Sequence, residues 1–159
     1  MTSPSSTEDP SPTRPEDPAA AALFDAVAAE HGVIYGYGVV SAHSAPDANE
    51  LVSDAMAEHR ARREQAIARL AARNVTAPLP APGYQLPIVV GSPADAAKLA
   101  VRMEEDGAVA WRAVLERASS TEDRAFAVTS LTECAVTAAK WRRLAGMEPS
   151  TVAFPGGTE

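Results

Sequence analysis

Four glutamates, two histidines and two adjacent arginines are the side chains whose spacing could do chemistry in this chain. Glu30, Glu58, Glu104 and Glu133 each fall in or beside an apolar stripe of helical spacing, and the stripes belong to four separate segments. His31 and His59 directly follow two of those glutamates, and Arg62 and Arg63 lie about one turn beyond His59. Ionised groups in an apolar core are costly unless they pair with one another or hold a cation. Carboxylates converging from four helices could bind two iron or manganese ions, with Glu30, Glu58, His59, Glu104 and Glu133 as ligands, and activate oxygen or oxidise iron. The same groups could instead neutralise one another in a metal-free buried network of Glu30, His31, His59, Arg62, Arg63, Tyr84 and Glu104. Arginine's forked donor geometry suits that task.

Spacing weighs between the two. A two-metal bundle ordinarily uses a lone Glu on two helices and Glu-x-x-His on the other two. Three residues after Glu58 stands Ala61, and three after Glu133 stands Val136. Each imidazole is instead next to its glutamate, about 100° away around a helix, where the pair cannot meet one ion as i, i+3 neighbours do. The metal-free network is therefore the leading expectation, with no catalytic residue and no cofactor. A divergent metal-carboxylate oxidase or iron-binding protein is the alternative, and a small apolar ligand between the helices is a third. Trp111 and Trp141 read as core packing. Cys134, on an apolar face with no charged activator nearby in sequence, reads as an inert buried thiol.

The elements that must position these residues are helical. Ala supplies much of the 46% hydrophobic content and aromatics only 5%, which favours close-packed helices over a sheet. Helix one is expected from the Asp17 cap and Pro18 to His43, and helix two from Asp47, with Glu50 at capping-box spacing, to about Arg73. Helix three should run from the Ser92 cap and Pro93 to about Ala118, and helix four from about Asp123 to Leu144, closed by Gly146. Gly32 and Gly36 suggest close approach of another backbone to helix one. Between helices two and three lies Asn74 to Ser92, with four prolines, too long for a local turn. If it travels the length of the molecule, helices two and three lie parallel. The fold class is thus all-α, a ferritin-like four-helix bundle with a long crossover between helices two and three. Residues 1–17 read as a disordered Pro, Ser and acidic tail, 18–146 as the bundle, and 147–159 as a C-terminal tail whose Val152 and Phe154 can dock.

Composition excludes several classes. A net charge of −7 with no basic excess argues against nucleic-acid binding. One cysteine forbids an internal disulfide or a cysteine-based zinc site. Without a long apolar run or a basic and apolar leader, a cytoplasmic protein with no membrane role is expected, assembling as a homodimer.

In combination, Glu-His-x-x-Ile-Tyr-x-Tyr-Gly from Glu30 to Gly38, His-Arg-x-Arg-Arg from His59 to Arg63, and Tyr-x-Leu-Pro from Tyr84 to Pro87 carry a resemblance. With Glu104, Trp111 and Lys-Trp-Arg from Lys140 to Arg142, they resemble an uncharacterised bacterial family of ferritin-like domains over roughly Ala19 to Ala145. The resemblance implies a ferritin-like bundle and nominates Glu30, His59, Arg63, Tyr84 and Glu104 for any site. The family is a domain of unknown function, so an activity is not implied. The wider ferritin-like superfamily implies di-iron chemistry.

Overall fold

The computed structural model describes residues 12–157, and they form four long helices joined by turns and one extended crossover. The first, α1 (Pro18–His43), starts where the Asp17 carboxylate accepts the Ala20 N–H at 2.8 Å and Pro18 fills the first position. It ends on Ser44, whose backbone and hydroxyl both donate to the Val40 carbonyl. Residues 1–11 of the expected disordered tail lie outside the described residues. The rest of it runs beside α1, where Arg14 grips Asp25 through two nitrogens.

Helix α2 (Asn49–Ala71) begins differently from expectation. Pro46–Ala48 form a turn of 3-10 helix, which places Asp47 inside that turn instead of at a cap, and no side chain caps α2. At its far end Asn74 adopts a left-handed φ of 56°, and Val75 donates back to Leu70. That geometry closes the helix and starts the crossover. Helix α3 (Pro93–Arg117) has the expected cap, with Ser92 Oγ accepting from Asp95. Helix α4 (Thr121–Leu144) starts two residues earlier than expected, on a Ser120 cap, and closes with Gly146 at φ 64°.

The crossover follows α1 in its own direction. His31 Nε2 meets the Pro78 carbonyl at 3.1 Å, the Tyr84 ring rests over Gly32 and 5.3 Å from the Tyr35 ring, and Leu86 reaches Gly36. Ile88 and Val90 then pack with the cluster that holds Val40 and Ala48. The start of α3 thereby arrives beside the start of α2, where Ala48 and Ala97 line one groove. So α2 and α3 are parallel, and α1 and α4 run against them. Gly36 leaves room for Met103 of α3, because a Cβ there would stand 2.1 Å from Met103 Sδ and that flexible side chain would have to shift. The close neighbour is thus a side chain, where a backbone was expected. The C-terminal segment lies on α3: Gly156, at φ 73°, touches the Ala108 carbonyl.

The interior is apolar at both ends and charged between. One cluster gathers Val33, Tyr37, Val40, Val52, Leu99, Met103 and Trp141; the other gathers Leu23, Val27, Leu70, Trp111, Val114 and Ala127. Glu30, His59, Arg62 and Glu104 lie between them at 1–3% exposure. Among the described residues no helix is long and apolar enough to cross a membrane.

A buried charge network as the candidate functional site

Each helix delivers part of this layer by register. On α2, Ala55, His59, Arg62, Ala66 and Leu70 form one buried face at steps of three and four residues. Facing them, α1 brings Glu30 and Tyr37, α3 brings Glu104 and Trp111, and α4 brings Cys134 and Trp141, each pair seven residues apart and so two turns along the same side.

His59 is the hub. Its Nδ1 lies 2.6 Å from Glu30 Oε2 and its Nε2 lies 3.1 Å from Glu104 Oε1. Carboxylates only accept here, so both nitrogens donate and the ring is an imidazolium. Burial alone would lower the His59 pKa, but the hydrogen bonds and charges of Glu104 and Glu30 outweigh it and raise the value from 6.5 to about 9. Glu30 shows the converse. Burial pushes its pKa up, while His59, Arg62 and the Trp111 indole together bring it below the ordinary value.

Arg62 is the second cation. Its Nη2 donates to Glu133 Oε2 at 2.8 Å, and its Nη1 donates to Cys134 Sγ at 3.3 Å and more loosely to Glu30 Oε1 at 3.4 Å. The 3.1 Å approach of Nη1 to His59 Nδ1 brings two donors together. It is a contact between cations, tolerated because Glu30 binds both. Trp111 Nε1–H donates to Glu30 Oε1 at 2.7 Å, Tyr37 O–H to Glu104 Oε1 at 2.5 Å, and Trp141 Nε1–H to the Tyr37 oxygen at 3.0 Å. Burial and Glu104 raise the Tyr37 pKa well above its usual value, so the phenol stays protonated and donates. Burial likewise raises Cys134 despite the Arg62 charge, leaving a thiol where a nucleophile would need a thiolate.

Of the side chains singled out in sequence, the network contains Glu30, His59, Arg62 and Glu104, with Glu133 at its half-buried rim. Glu58 is exposed, because one residue before His59 on a helix points about 100° away. The same rotation turns Arg63 outward to Glu64. His31 is buried but serves the crossover through Pro78, and the Tyr84 hydroxyl accepts from the Ala81 N–H on the crossover itself. Four members were missed as network residues: Tyr37, Trp111, Trp141 and Cys134. Three of them lie two turns from a charged or thiol residue on the same stripe, which is the signal that could have found them. Cys134 does have a charged neighbour, across the bundle on α2. Among the described residues, no group of three or more His, Cys, Asp and Glu side chains is placed to hold a metal ion.

A second buried charge sits nearer one end. Asp123, in the first turn of α4, pairs with Arg73 and, at 3.5 Å, with Arg69, whose guanidinium lies 3.9 Å over the Phe126 ring. Both arginines keep more than a quarter of their side-chain surface in solvent.

Comparison with known proteins places this architecture among relatives. The profile of a family described as Domain of unknown function (DUF4439) matches residues 22–159. The crystal structure of a conserved hypothetical protein, rv2844, of Mycobacterium tuberculosis is similar at 58% sequence identity and a TM-score of 0.80, over 82% of this chain and 98% of that one. No curated protein matches the chain. On the extent of the profile match and the identity to that structure, the chain belongs to the DUF4439 family.

Proposed function

We propose that this chain is a ferritin-like four-helix bundle without di-metal chemistry, a non-enzymatic binding or interaction module that works as a homodimer. The observation that carries the reading is that the charges of this layer pair with one another, although Glu104 Oε2 and Arg62 Nε are buried there without a hydrogen-bond partner among the described residues. Two cations and two carboxylates, all at 1–3% exposure, face one another and take further hydrogen bonds from Tyr37 and Trp111. The donor set suits an iron or manganese pair poorly. Both His59 nitrogens are turned to carboxylates, Arg62 has no lone pair to offer a metal, and Glu58 points to solvent. The parallel α2 and α3, joined by a crossover along α1, favour the ferritin-like relationship over an up-down-up-down bundle.

With its polar chemistry sealed inside, the chain meets partners through its surface. Of nine exposed large hydrophobic side chains among the described residues, six (Val109, Val128, Val136, Leu144, Val152 and Phe154) lie on α3, α4 and the C-terminal segment. That concentration supports these elements as the interface in this reading. A net charge of −7 favours a protein partner over nucleic acid, and the single unpaired thiol suits a reducing compartment such as the cytoplasm. Sedimentation of the purified chain at micromolar concentration should give a dimer that Val136→Asp or Phe154→Asp converts to monomer. A wild-type monomer would overturn the homodimer. Two equivalents of iron or manganese in protein purified without chelator, lost on Glu104→Ala, would overturn the non-enzymatic reading and restore the oxidase.

A further inference from the structure

The outward face of α4 carries both halves of a contact. Thr132, Ala135, Val136 and Ala139 stand at i, i+3, i+4 and i+7 on the helix and line a cavity of about 300 Å³, with Leu131 and Val152 also in its wall. Four residues at this spacing form the hole that receives one side chain of a neighbouring helix. A side chain of the right kind lies on the same face, since Val128, about one turn before Thr132, is 46% exposed. A half-turn about an axis near Thr132 carries Val128 onto the middle of the hole and the hole onto Val128. That is the self-complementarity a two-fold dimer requires.

Charge agrees with the same operation. Glu122, in the first turn of α4, and Lys140, near its end, are both exposed, and about five turns separate them, so they share one flank of the helix. Antiparallel docking about Thr132 sets Glu122 of each copy beside Lys140 of the other, with the exposed Arg143 close by. Arg124 is also exposed, but it lies about 160° around the helix from Lys140 and so on the opposite flank. A parallel arrangement would instead set like charges against each other.

We infer that α4 docks antiparallel against α4 of a second copy of this chain, about a two-fold axis near Thr132, with each Val128 seated in the other copy's cavity. This rests on the homodimer proposed above and gives it a geometry; the buried charge layer is not involved.

Thr132→Cys tests the axis, because each introduced thiol would face its symmetry mate within disulfide reach. Under mild oxidation this variant should run as a covalent dimer on a non-reducing gel. Wild type, whose Cys134 is buried, and Glu58→Cys, at an exposed position on α2, should not. In sedimentation, Val128→Asp and Glu122→Lys should each raise the dimer dissociation constant about tenfold, and adding Lys140→Glu to Glu122→Lys should bring it back near wild type. A wild-type dimer with no cross-link at Thr132→Cys, with equal cross-linking at Glu58→Cys, or with no recovery in the double variant overturns this docking alone and assigns the homodimer to another face. A wild-type monomer overturns both.

Discussion

Among the described residues, acid–base pairs are buried around His59 in mid-bundle and around Asp123 near one end, and the two are built differently. At mid-bundle His59, Arg62, Glu30 and Glu104 are at 1–3% exposure and only Glu133 at the rim reaches solvent, so the charges around His59 must be answered from within the protein. At Asp123 the carboxylate is covered, but its arginines keep about 30% of their side-chain surface in water. Solvent can replace a lost partner there and cannot at His59. The lesson is that burial of the whole group, more than the number of ion pairs, sets how much each charge matters.

Breaking the mid-bundle centre should therefore have the largest effect. His59→Ala leaves Glu30 and Glu104 facing each other without their cation and should cost about 3–5 kcal/mol in urea denaturation. An equal loss from Asp123→Ala would erase the contrast between the two sites.

The next effect comes from pH without mutation. Because the folded pKa of His59 is raised from 6.5 to about 9, its contribution is complete below pH 6.5. As pH rises, the unfolded chain gives up the proton first, so the contribution shrinks and is gone above about pH 9, a loss of about 3 kcal/mol. The lowered pKa of Glu30 has the opposite sign. Its contribution is present above its ordinary value of 4.5 and is lost as pH falls through the folded value. Unfolding free energies measured from pH 6 to 10 should show the alkaline loss in wild type and not in His59→Ala.

Much of this was legible in the sequence because helices announce themselves locally. The Asp17 and Ser92 caps, the proline-laden crossover and the four apolar stripes each follow from short-range rules and led to the parallel α2 and α3. The Asp47 cap was misplaced because Pro46 begins a separate turn of 3-10 helix. In the site, the stripes exposed Glu30, His59 and Glu104. The choice between Arg62 and Arg63 depended on the true phase of α2, and one residue of phase is 100° of rotation. Pairings across the bundle, such as Cys134 with Arg62 or Trp111 with Glu30, depend on how the helices are turned toward one another, which no single helix encodes.

Smaller effects sharpen the same comparison. Asp123→Ala should cost about 1 kcal/mol, since it releases two arginines that water can solvate. Glu133→Gln should cost less than about 1 kcal/mol, because its side chain is 44% exposed. Arg63→Ala should stay within about 0.5 kcal/mol, its partner Glu64 being exposed. All three are read from thermal or urea unfolding, and a loss at Arg63 rivalling that at His59 would mean the wrong arginine has been placed in the core.

The completeness of the centre with its own cations is tested most directly by the nitrogen-15 spectrum of the His59 ring in wild-type protein at neutral pH. Two protonated ring nitrogens, persisting until pH approaches about 9, are expected from carboxylates on both sides of the imidazole. A neutral ring at pH 7, with one nitrogen carrying a free lone pair, would contradict it.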